Sequence, residues 1–486
     1  MGSPTTLPDS RPKVASGRRF ALGDGIRWAV AAAGVVAALL FLTGTLGPEL
    51  PPPARASLAV GALAVGLWGS EVLDLAVTAL LAIVLLFATG AVPSLEQALT
   101  GFTSPVLYFL LGTAGLGIAA EEAGLAERLA GWLLARSRGS DQRLLLDLLV
   151  SMPAQALLVP SAISRNAVLV PVYDRVLARL GRPSRLGAAI MLTLGVLGPL
   201  ASSALLSGGT SPVAAAQAIG GFTWMTWFVA VAPPYYAWLM LSGAIVWWFN
   251  RPERIADLCR PAPANEGAIA LVAASTGQLQ AAEWRVAAVS VTTSLLWMLD
   301  RYTHWPTAVP ALLALAVLLT PRFGVTTWHT FASRAPWGTC FVLAGAVSLA
   351  GALGRSGAAV WLARGLFGAL PVPHRAVPVA LAIFAVSGLI TLAIPNRAAA
   401  ITLCVPLATA YAAGVLSAAA AGLVVMIVVD AETIYPAQTA ANLLAYDRGY
   451  FSARQLAQFN ALTMLAAALV VVLIAFPWWN LVGLPR

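Results

Sequence analysis

Charged residues are scarce in this chain, at only 10% of 486 residues, whereas hydrophobic residues make up 59%. A soluble domain carries about 25% charged residues, so a soluble fold of this composition would leave too much apolar surface in water. The scarcity excludes a soluble enzyme, a disordered chain and a nucleic-acid-binding domain. Apolar stretches of about 20 residues recur along the sequence instead, which is typical of a polytopic membrane protein.

Cysteine and histidine are also rare, with three of each, widely separated along the chain. Three distant cysteines indicate neither a disulfide framework nor a metal-binding knuckle. The isolated histidines offer no metal site and no obvious catalytic base. We therefore expect no enzyme activity and no cofactor, apart from a coupling ion.

The basic residues lie in a pattern that predicts orientation. Net charge is +9, and with the N-terminus inside most arginines and lysines fall in predicted cytoplasmic segments, including the polar tail 1–27 and the linker 251–282. This bias follows the positive-inside rule and argues against nucleic acid as a partner. The sequence thus predicts a multi-pass protein of the plasma (inner) membrane with a cytoplasmic N-terminus. Arg165 and Arg397 are the only basic residues that fall in neither the predicted cytoplasmic segments nor the predicted external ones.

The chain contains an internal duplication. Phe109–Leu134 and Phe341–Phe367 each read as an apolar span, a glycine break at Gly124 or Gly357, and a short amphipathic segment. An odd number of spans between the copies predicts that they face opposite ways across the membrane. We therefore expect an inverted repeat.

Each copy also contains two interrupted apolar segments. The first pair, Val159–Val172 and Ile394–Leu407, predicts two re-entrant hairpins, with Pro160 and Pro395 at their tips. The second pair predicts broken spans, at Leu205–Gln217 and Glu432–Leu444. Unwound backbone is tolerated at membrane depth only where it lines a cavity, and half-helix N-termini attract anions. Paired broken segments in inverted repeats are typical of secondary transporters with a mid-membrane site.

The predicted fold class is an all-α polytopic membrane protein with about 11 transmembrane helices plus two re-entrant hairpins in two inverted repeats. Tryptophans cluster at the predicted span ends, which is typical of interfacial belts. These are Trp224, Trp227, Trp247, Trp248, Trp478 and Trp479.

Two stretches resemble the divalent anion/sodium symporter family of the ion transporter superfamily. The first is Leu67–Gly112, with Trp68, Glu71 and the "GFTSP" element, and the second is Gln438–Leu465. The resemblance covers nearly all of residues 55–486. It implies an elevator-type carrier whose scaffold domain forms a homodimer and whose transport domain moves a small anion across the bilayer. The implied ranges are a cytoplasmic tail (1–27), scaffold halves (28–143 and 283–372), transport-domain repeats (144–250 and 373–486) and a cytoplasmic linker (251–282).

The resemblance also implies where the site lies. In this family each hairpin tip bears a Ser-Asn-Thr motif that binds sodium and a substrate carboxylate. Here the tips read "SAISRN" and "NRA", and Thr210 and Thr439 match the threonines of the later helix breaks. If sodium is the coupling ion, the resemblance puts it near Ser161 and Asn396. The candidate substrate-binding residues are Ser161, Ser164, Arg165, Asn166, Gly209, Thr210, Ser211, Asn396, Arg397, Thr439 and Asn442.

Two arginines and two carboxylates stand in otherwise apolar segments, where charge is costly. Arg165 and Arg397 offer planar forks for a carboxylate or other oxyanion, or occupy positions that sodium fills in relatives. The alternative is pairing with a local carboxylate or a backbone carbonyl, or snorkelling to the surface. Asp430 and Glu432 precede the second break and predict a proton- or cation-coupling site, an ion pair with one of the arginines, or a structural role.

The sequence favours a secondary active carrier of small anions, di- or tricarboxylates with sulfate as a further candidate, coupled to sodium or protons. One alternative is a cation/proton antiporter or an arsenite-type permease of the same superfamily. A remote alternative is a polytopic membrane enzyme such as a lipid-modifying transferase.

Overall fold

The computed structural model describes residues 24–137, 140–159, 161–177, 184–250, 279–368, 370, 375–394 and 396–484. All regular elements in these ranges are helical. Nearly all of the predicted tail and linker, and Pro160 and Pro395 at the hairpin tips, lie outside the described residues.

In its described residues, the first half of the chain contains twelve α-helices, one π-helical turn and one 3-10 turn. Helices α1 to α6 are Asp24–Leu42, Pro52–Ser70, Leu75–Ala88, Leu95–Ala98, Pro105–Glu122 and Leu125–Ser137. Helices α7 to α12 are Asp141–Leu158, Ala162–Leu177, Arg185–Leu192, Gly198–Ser203, Thr210–Ile219 and Trp224–Phe249. The π turn is Thr193–Leu197 and the 3-10 turn is Leu206–Gly208.

The second half continues in the same way after residue 278. Helices α13 to α18 are Ala281–Met298, Asp300–Thr303, Ala308–Leu319, Trp328–Arg334, Trp337–Arg355 and Ala358–Phe367. Helices α19 to α24 are Ala376–Ala393, Arg397–Ala412, Ala418–Ala431, Ala440–Tyr446, Ala453–Val470 and Phe476–Leu481. A 3-10 turn at Pro436–Gln438 separates α21 from α22, and a π turn at Val471–Ala475 joins α23 to α24.

Several described helices are long and apolar enough to cross a membrane. Five meet this criterion: Gly25–Leu42, Arg185–Ser203, Trp224–Phe249, Trp337–Arg355 and Ala453–Leu481. The bent pair α5 and α6, with 60° between its helices, makes a sixth if it counts as one span. Shorter apolar helices of 10–17 residues fill much of the remainder. The fold is therefore that of a multi-pass membrane protein, and the number of crossings stays a prediction.

Both π turns are followed by a proline. Pro199 comes shortly after the turn Thr193–Leu197, and Pro477 shortly after Val471–Ala475. Proline lacks an N–H group and clashes with the carbonyl one turn earlier. A wider turn removes that clash and leaves carbonyl groups without an intrahelical partner. In the first case the Leu194 carbonyl accepts a hydrogen bond from Asn166, a residue of the site described below.

The two duplicated segments share backbone features. Gly124 and Gly357, which follow α5 and α17, adopt left-handed φ angles of 78° and 77°. Gly112 in α5 contacts α15, where an added Cβ would lie 2.6 Å from Ala311, and Gly345 in α17 contacts α3 in a similar way. Both copies therefore need a small residue for close helix packing and a glycine to turn the chain. The opposite orientation of the copies stays a prediction.

The predicted hairpins are helix pairs interrupted at their tips. Helices α7 and α8 form the first, and α19 and α20 form the second. Helix α20 packs against α11 and α21, and α8 packs against the short α22. Each hairpin thus contacts a broken helix of the other copy, and this arrangement brings all four interruptions together.

The prediction of interfacial tryptophan belts is wrong for three of the six residues. Trp224 and Trp227 are fully buried and Trp479 is 3% exposed. The Trp224 ring stacks on Trp297, with ring centroids 6.2 Å apart, and the Trp479 indole N–H donates to the Ala230 carbonyl at 3.0 Å. These rings therefore fill helix–helix contacts. Trp248, which is 65% exposed, remains compatible with a belt.

Candidate functional site

A cavity of about 190 Å³ lies where the interrupted helices meet. Its walls combine both hairpins and both helix breaks with two helices of the predicted scaffold, α5 and α17. The lining residues are Leu110, Thr113, Ala114, Ser161, Ala162, Ile163, Pro199, Gly208, Gly209, Thr210, Ser211, Pro336, Thr339, Arg397, Thr439, Ala440 and Ala441. Arg397 is the only charged side chain in this lining.

Four helices begin at the cavity wall. These are α8, α11 and α20, each of ten residues or more, and the short α22. The first N–H groups of a helix lack intrahelical partners, and the helix dipole places partial positive charge there. The cavity therefore collects positive electrostatic potential from its backbone as well as from Arg397.

Three of these N-termini are capped by their own side chains. Ser161 Oγ accepts from the Ser164 N–H at 3.2 Å, Asn396 Oδ1 from the Ala399 N–H at 3.0 Å, and Thr439 Oγ1 from the Asn442 N–H at 3.2 Å. Helix α11 differs, because the residue before it is Gly209 and no side chain caps it. Its first amide groups therefore receive no hydrogen bond from a capping side chain.

Arg165 is held by neutral acceptors. The side chain is 4% exposed. Its Nη1 donates to the Val159 carbonyl at 2.6 Å, and its Nη2 donates to the Gly198 carbonyl at 3.1 Å and to Ser202 Oγ. Gly198 directly follows the first π turn. Of the alternatives raised from the sequence, pairing with backbone carbonyls is the one that Arg165 adopts. The Arg165 side chain does not line the cavity.

Arg397 has a different environment. Its Nη1 lies 3.8 Å from Asp430 Oδ1, and its Nη2 donates to Thr433 Oγ1 at 2.7 Å and to the Glu432 carbonyl at 3.3 Å. Its buried Nε has no hydrogen-bond partner. The ion pair expected between an arginine and the two carboxylates therefore forms at Arg397 with Asp430, and this guanidinium retains an unused donor.

The carboxylates continue this network behind the cavity lining. Asp430 Oδ2 accepts from the Tyr235 hydroxyl at 3.1 Å. Glu432 is 1% exposed, and neither carboxylate oxygen has a hydrogen-bond partner among the described residues. The adjacent Thr433 N–H donates to Asn460 Oδ1 at 2.9 Å. The second break thus holds one paired and one unpaired carboxylate.

The eleven predicted substrate-binding residues divide into two groups. Six line the cavity, namely Ser161, Gly209, Thr210, Ser211, Arg397 and Thr439. The other five, Ser164, Arg165, Asn166, Asn396 and Asn442, support it from behind through hydrogen bonds. Asn166, for example, donates from Nδ2 to the Leu194 carbonyl at 2.8 Å and to the Ala441 carbonyl at 3.2 Å. Substrate binding by these residues stays a prediction.

The sequence reasoning missed several participants. Thr113 and Thr339 add hydroxyl groups from α5 and α17, and Tyr235 and Asn460 contact the charged network. Tyr235 and Asn460 are polar residues in the middle of apolar helices, which was a usable signal. Nothing in the sequence separates the two threonines from ordinary helix residues.

No metal-binding cluster marks this region. Within the described ranges, no three histidine, cysteine, aspartate or glutamate side chains are grouped so that they could hold a metal ion. The predicted sodium position near Ser161 and Asn396 stays a prediction.

Comparisons with known proteins match the chain over almost its full length. The family model of the sodium:sulfate symporter transmembrane region matches residues 14–484. A protein of Cupriavidus necator named "Membrane protein" is 27% identical over 493 residues, with 94% of this chain and 93% of the relative covered. A Haemophilus influenzae protein named "Uncharacterized transporter" is 24% identical over 447 residues, with 88% of this chain and 92% of the relative covered.

The family match includes both hairpins, both helix breaks and the cavity that they enclose. It also includes the segments on which the resemblance was based. The chain therefore belongs to the sodium:sulfate symporter family, the divalent anion/sodium symporters.

Proposed function

We propose that this protein is a secondary active transporter of small anions. The observation that carries the proposal is the cavity itself, where four helix N-termini and the Arg397 guanidinium meet and no carboxylate lines the wall. Backbone N–H groups at helix N-termini bind anions, and an arginine fork matches the geometry of a carboxylate or sulfate. Family membership supports the same function.

The size of the cavity indicates a small substrate. Pockets for drug-sized ligands measure about 300–1,000 Å³, whereas this cavity measures about 190 Å³. Its serine and threonine hydroxyl groups can donate to several oxygens at once. Di- and tricarboxylates and sulfate combine small size with multiple anionic oxygens, and they are the proposed substrates.

The proposed mechanism is an elevator movement in a homodimer of the plasma (inner) membrane, with the N-terminus cytoplasmic. The position of the cavity supports it, because Leu110, Thr113 and Thr339 belong to predicted scaffold helices and the opposite wall belongs to the predicted transport domain. Sliding of one wall past the other would open the site alternately to each side. Sodium or protons would drive the cycle.

The alternatives receive less support. A cation/proton antiporter or arsenite-type permease would place carboxylates against its substrate, but Asp430 and Glu432 lie behind the lining and Arg397 lies in it. Membership of a transporter family favours transport over a polytopic membrane enzyme.

Uptake into proteoliposomes tests the proposal. Labelled sulfate, succinate and citrate are offered separately under an imposed sodium gradient and an imposed proton gradient. We expect at least one anion to accumulate, and we expect Arg397→Gln to remove that accumulation, because the only charged group of the cavity wall is lost.

Arg364→Gln is the matched control, since Arg364 is exposed on α18 and does not line the cavity. It should transport like the wild type. Equal uptake by the Arg397→Gln and Arg364→Gln proteins would contradict the proposed site, and no uptake or exchange of any of the three anions would contradict the proposed substrate class.

A further inference from the structure

The least satisfied charged group in the described part of the chain is Glu432. It is 1% exposed, and both carboxylate oxygens lack a hydrogen-bond partner. An ionised carboxylate buried without partners is strongly unfavourable, and such a group binds a proton instead. Burial of this kind favours the protonated carboxyl group of Glu432 over the ionised form.

The groups around Glu432 are few. Arg397 and Cys404 face it from α20, Asp430 precedes it on α21, and Tyr435 follows it after the break. Tyr235 reaches the same network from α12 through Asp430. Helices α10, α11 and α19 contribute no titratable side chain, and Arg454 at the start of α23 is exposed. Arg397 is thus the only cation within the cluster.

Arg397 is close enough to exchange partners. Its Nη2 already donates to the backbone carbonyl of Glu432 at 3.3 Å, and its Nε is unused. A rotation of the Glu432 side chain would bring the ionised carboxylate to the same guanidinium that lines the cavity. Asp430 offsets the charge of Arg397 in part, at 3.8 Å. Ionisation of Glu432 would give the cluster a net charge of −1 and oppose anion binding.

We propose that Glu432 carries a proton that is symported with the anion, and that the ionised Glu432 carboxylate competes with the anion for Arg397. This inference rests on the proposed function. Glu432 takes up a proton from one side of the membrane, which leaves Arg397 to the entering anion. On the other side the proton leaves Glu432, the carboxylate pairs with Arg397, and the anion is released. One proton and one anion cross together.

A sodium ion fits this position less well than a proton. Sodium needs several oxygen ligands at once, and at Glu432 it would lie beside the Arg397 guanidinium, which repels it. A proton needs one carboxylate oxygen and removes the same negative charge. The geometry therefore favours proton coupling at Glu432.

The test compares wild-type and Glu432→Gln protein in proteoliposomes, with labelled sulfate, or with succinate if the anion panel excludes sulfate. Glutamine resembles the protonated carboxyl group and cannot release a proton. In the wild type, the apparent affinity for the anion should fall as pH rises, by up to about tenfold per pH unit in the range where Glu432 titrates. The reason is that one proton binds with each anion. In Glu432→Gln, affinity should not depend on pH, and an imposed proton gradient should no longer drive accumulation.

Anion exchange at equal pH on both sides separates the two proposals. Retained exchange in Glu432→Gln shows that the variant folds and binds the anion. The control is Glu122→Gln, which alters an exposed carboxylate and should behave like the wild type in every assay. Wild-type pH dependence in Glu432→Gln, or accumulation driven by sodium at constant pH, would overturn the inference and leave anion transport intact.

A second measurement does not depend on the variant. A pH-sensitive dye inside wild-type liposomes should report acidification when the anion enters. Anion entry without acidification would overturn proton symport, whereas absence of anion entry would count against the proposed function itself.

Discussion

Each hairpin has an arginine shortly after its tip, but the surroundings of the two side chains differ. Arg165 is surrounded by two backbone carbonyls and a serine hydroxyl, and it lies outside the cavity wall. Arg397 lies in the wall, shares its charge with Asp430 at 3.8 Å and keeps one N–H group unused. A guanidinium whose donors are occupied holds a structure together, whereas one with a free donor is available to a ligand.

The difference arises from the neighbouring broken helices. In the first half of the site, Gly198, which directly follows the π turn, offers Arg165 a carbonyl that also accepts from Ser202 Oγ at 2.9 Å. In the second half, Asp430 lies in the last turn of α21 and Glu432 directly follows that helix, and only Asp430 is paired with Arg397. We therefore expect the first half of the site to contribute mainly rigidity, and the second half to exchange charged partners.

The largest expected effect is on stability, from Arg165→Gln. Three acceptors lose their donor, and an unsatisfied buried acceptor costs about 1–3 kcal/mol. We expect a clear fall in the unfolding temperature of the detergent-solubilised protein and in the yield of monodisperse material. Arg397→Gln should also unfold at a lower temperature than the wild type, because Asp430, Glu432 and Thr433 lose a buried partner, and it should lose transport in addition.

Arg364→Gln again provides the surface control for this pair. The comparison between the hairpins fails if Arg165→Gln unfolds at the wild-type temperature and loses only transport, because Arg165 would then act as a ligand.

Adjacent glycines in the first break sharpen the comparison further. An added Cβ at Gly208 would lie 1.8 Å from the Ser202 carbonyl oxygen, whereas at Gly209 no atom lies within 4 Å. We expect Gly208→Ala to reduce the yield of folded protein and Gly209→Ala to fold normally. Gly209 lines the cavity, so its added methyl group should weaken apparent anion affinity modestly in the uptake assay.

The two substitutions control for each other, since they add the same methyl group at neighbouring positions. Equal yields of the two proteins would show that the first break has no need for close backbone approach at Gly208. The second break has no glycine in Thr433–Thr439, so rigidity of this kind is specific to the first half.

The sequence predicted the interruptions well. Proline, glycine and polar residues inside apolar runs placed the breaks near Gly209 and Thr439, and the helix ends at Ser161 and Asn396 follow from capping side chains. These signals are local. The family also followed from motifs in the sequence, and the full-length match confirms it.

The partners of the charged residues could not be predicted in the same way. Arg165 meets acceptors 33 and 37 positions away along the chain, and Arg397 meets Asp430, Glu432 and Thr433, which are 33, 35 and 36 positions away. Such contacts depend on how separate helices pack. The local sequences of the two hairpin tips gave no means to tell the surroundings of Arg165 from those of Arg397. For the same reason the burial of Trp224 and Trp227 was missed, because aromatic packing between helices has no local sequence signal.

The smallest expected effect concerns Asn166 and Asn442, which also occupy the two halves. Asn166 Nδ2 donates to the Leu194 and Ala441 carbonyls and thereby joins the first hairpin, the π turn and the second break. Asn442 Nδ2 donates to the Pro436 carbonyl within its own break, and its Oδ1 has no partner. Hydrogen bonds within membrane proteins contribute about 0.6 kcal/mol on average and up to about 1.7 kcal/mol.

Asn166→Ala removes two bonds between separate segments, and Asn442→Ala removes one local bond. We therefore expect Asn166→Ala to lower the unfolding temperature slightly more than Asn442→Ala does. It should also slow anion uptake, because Ala441 lines the cavity and loses the tie that positions it. Asn250→Ala is a suitable control, since among the described residues its side chain bonds only to the Val246 carbonyl, one turn earlier at the end of α12. If Asn442→Ala slows uptake more than Asn166→Ala, the Asn442 amide acts on the substrate directly, and the second half of the site binds the anion through more than Arg397.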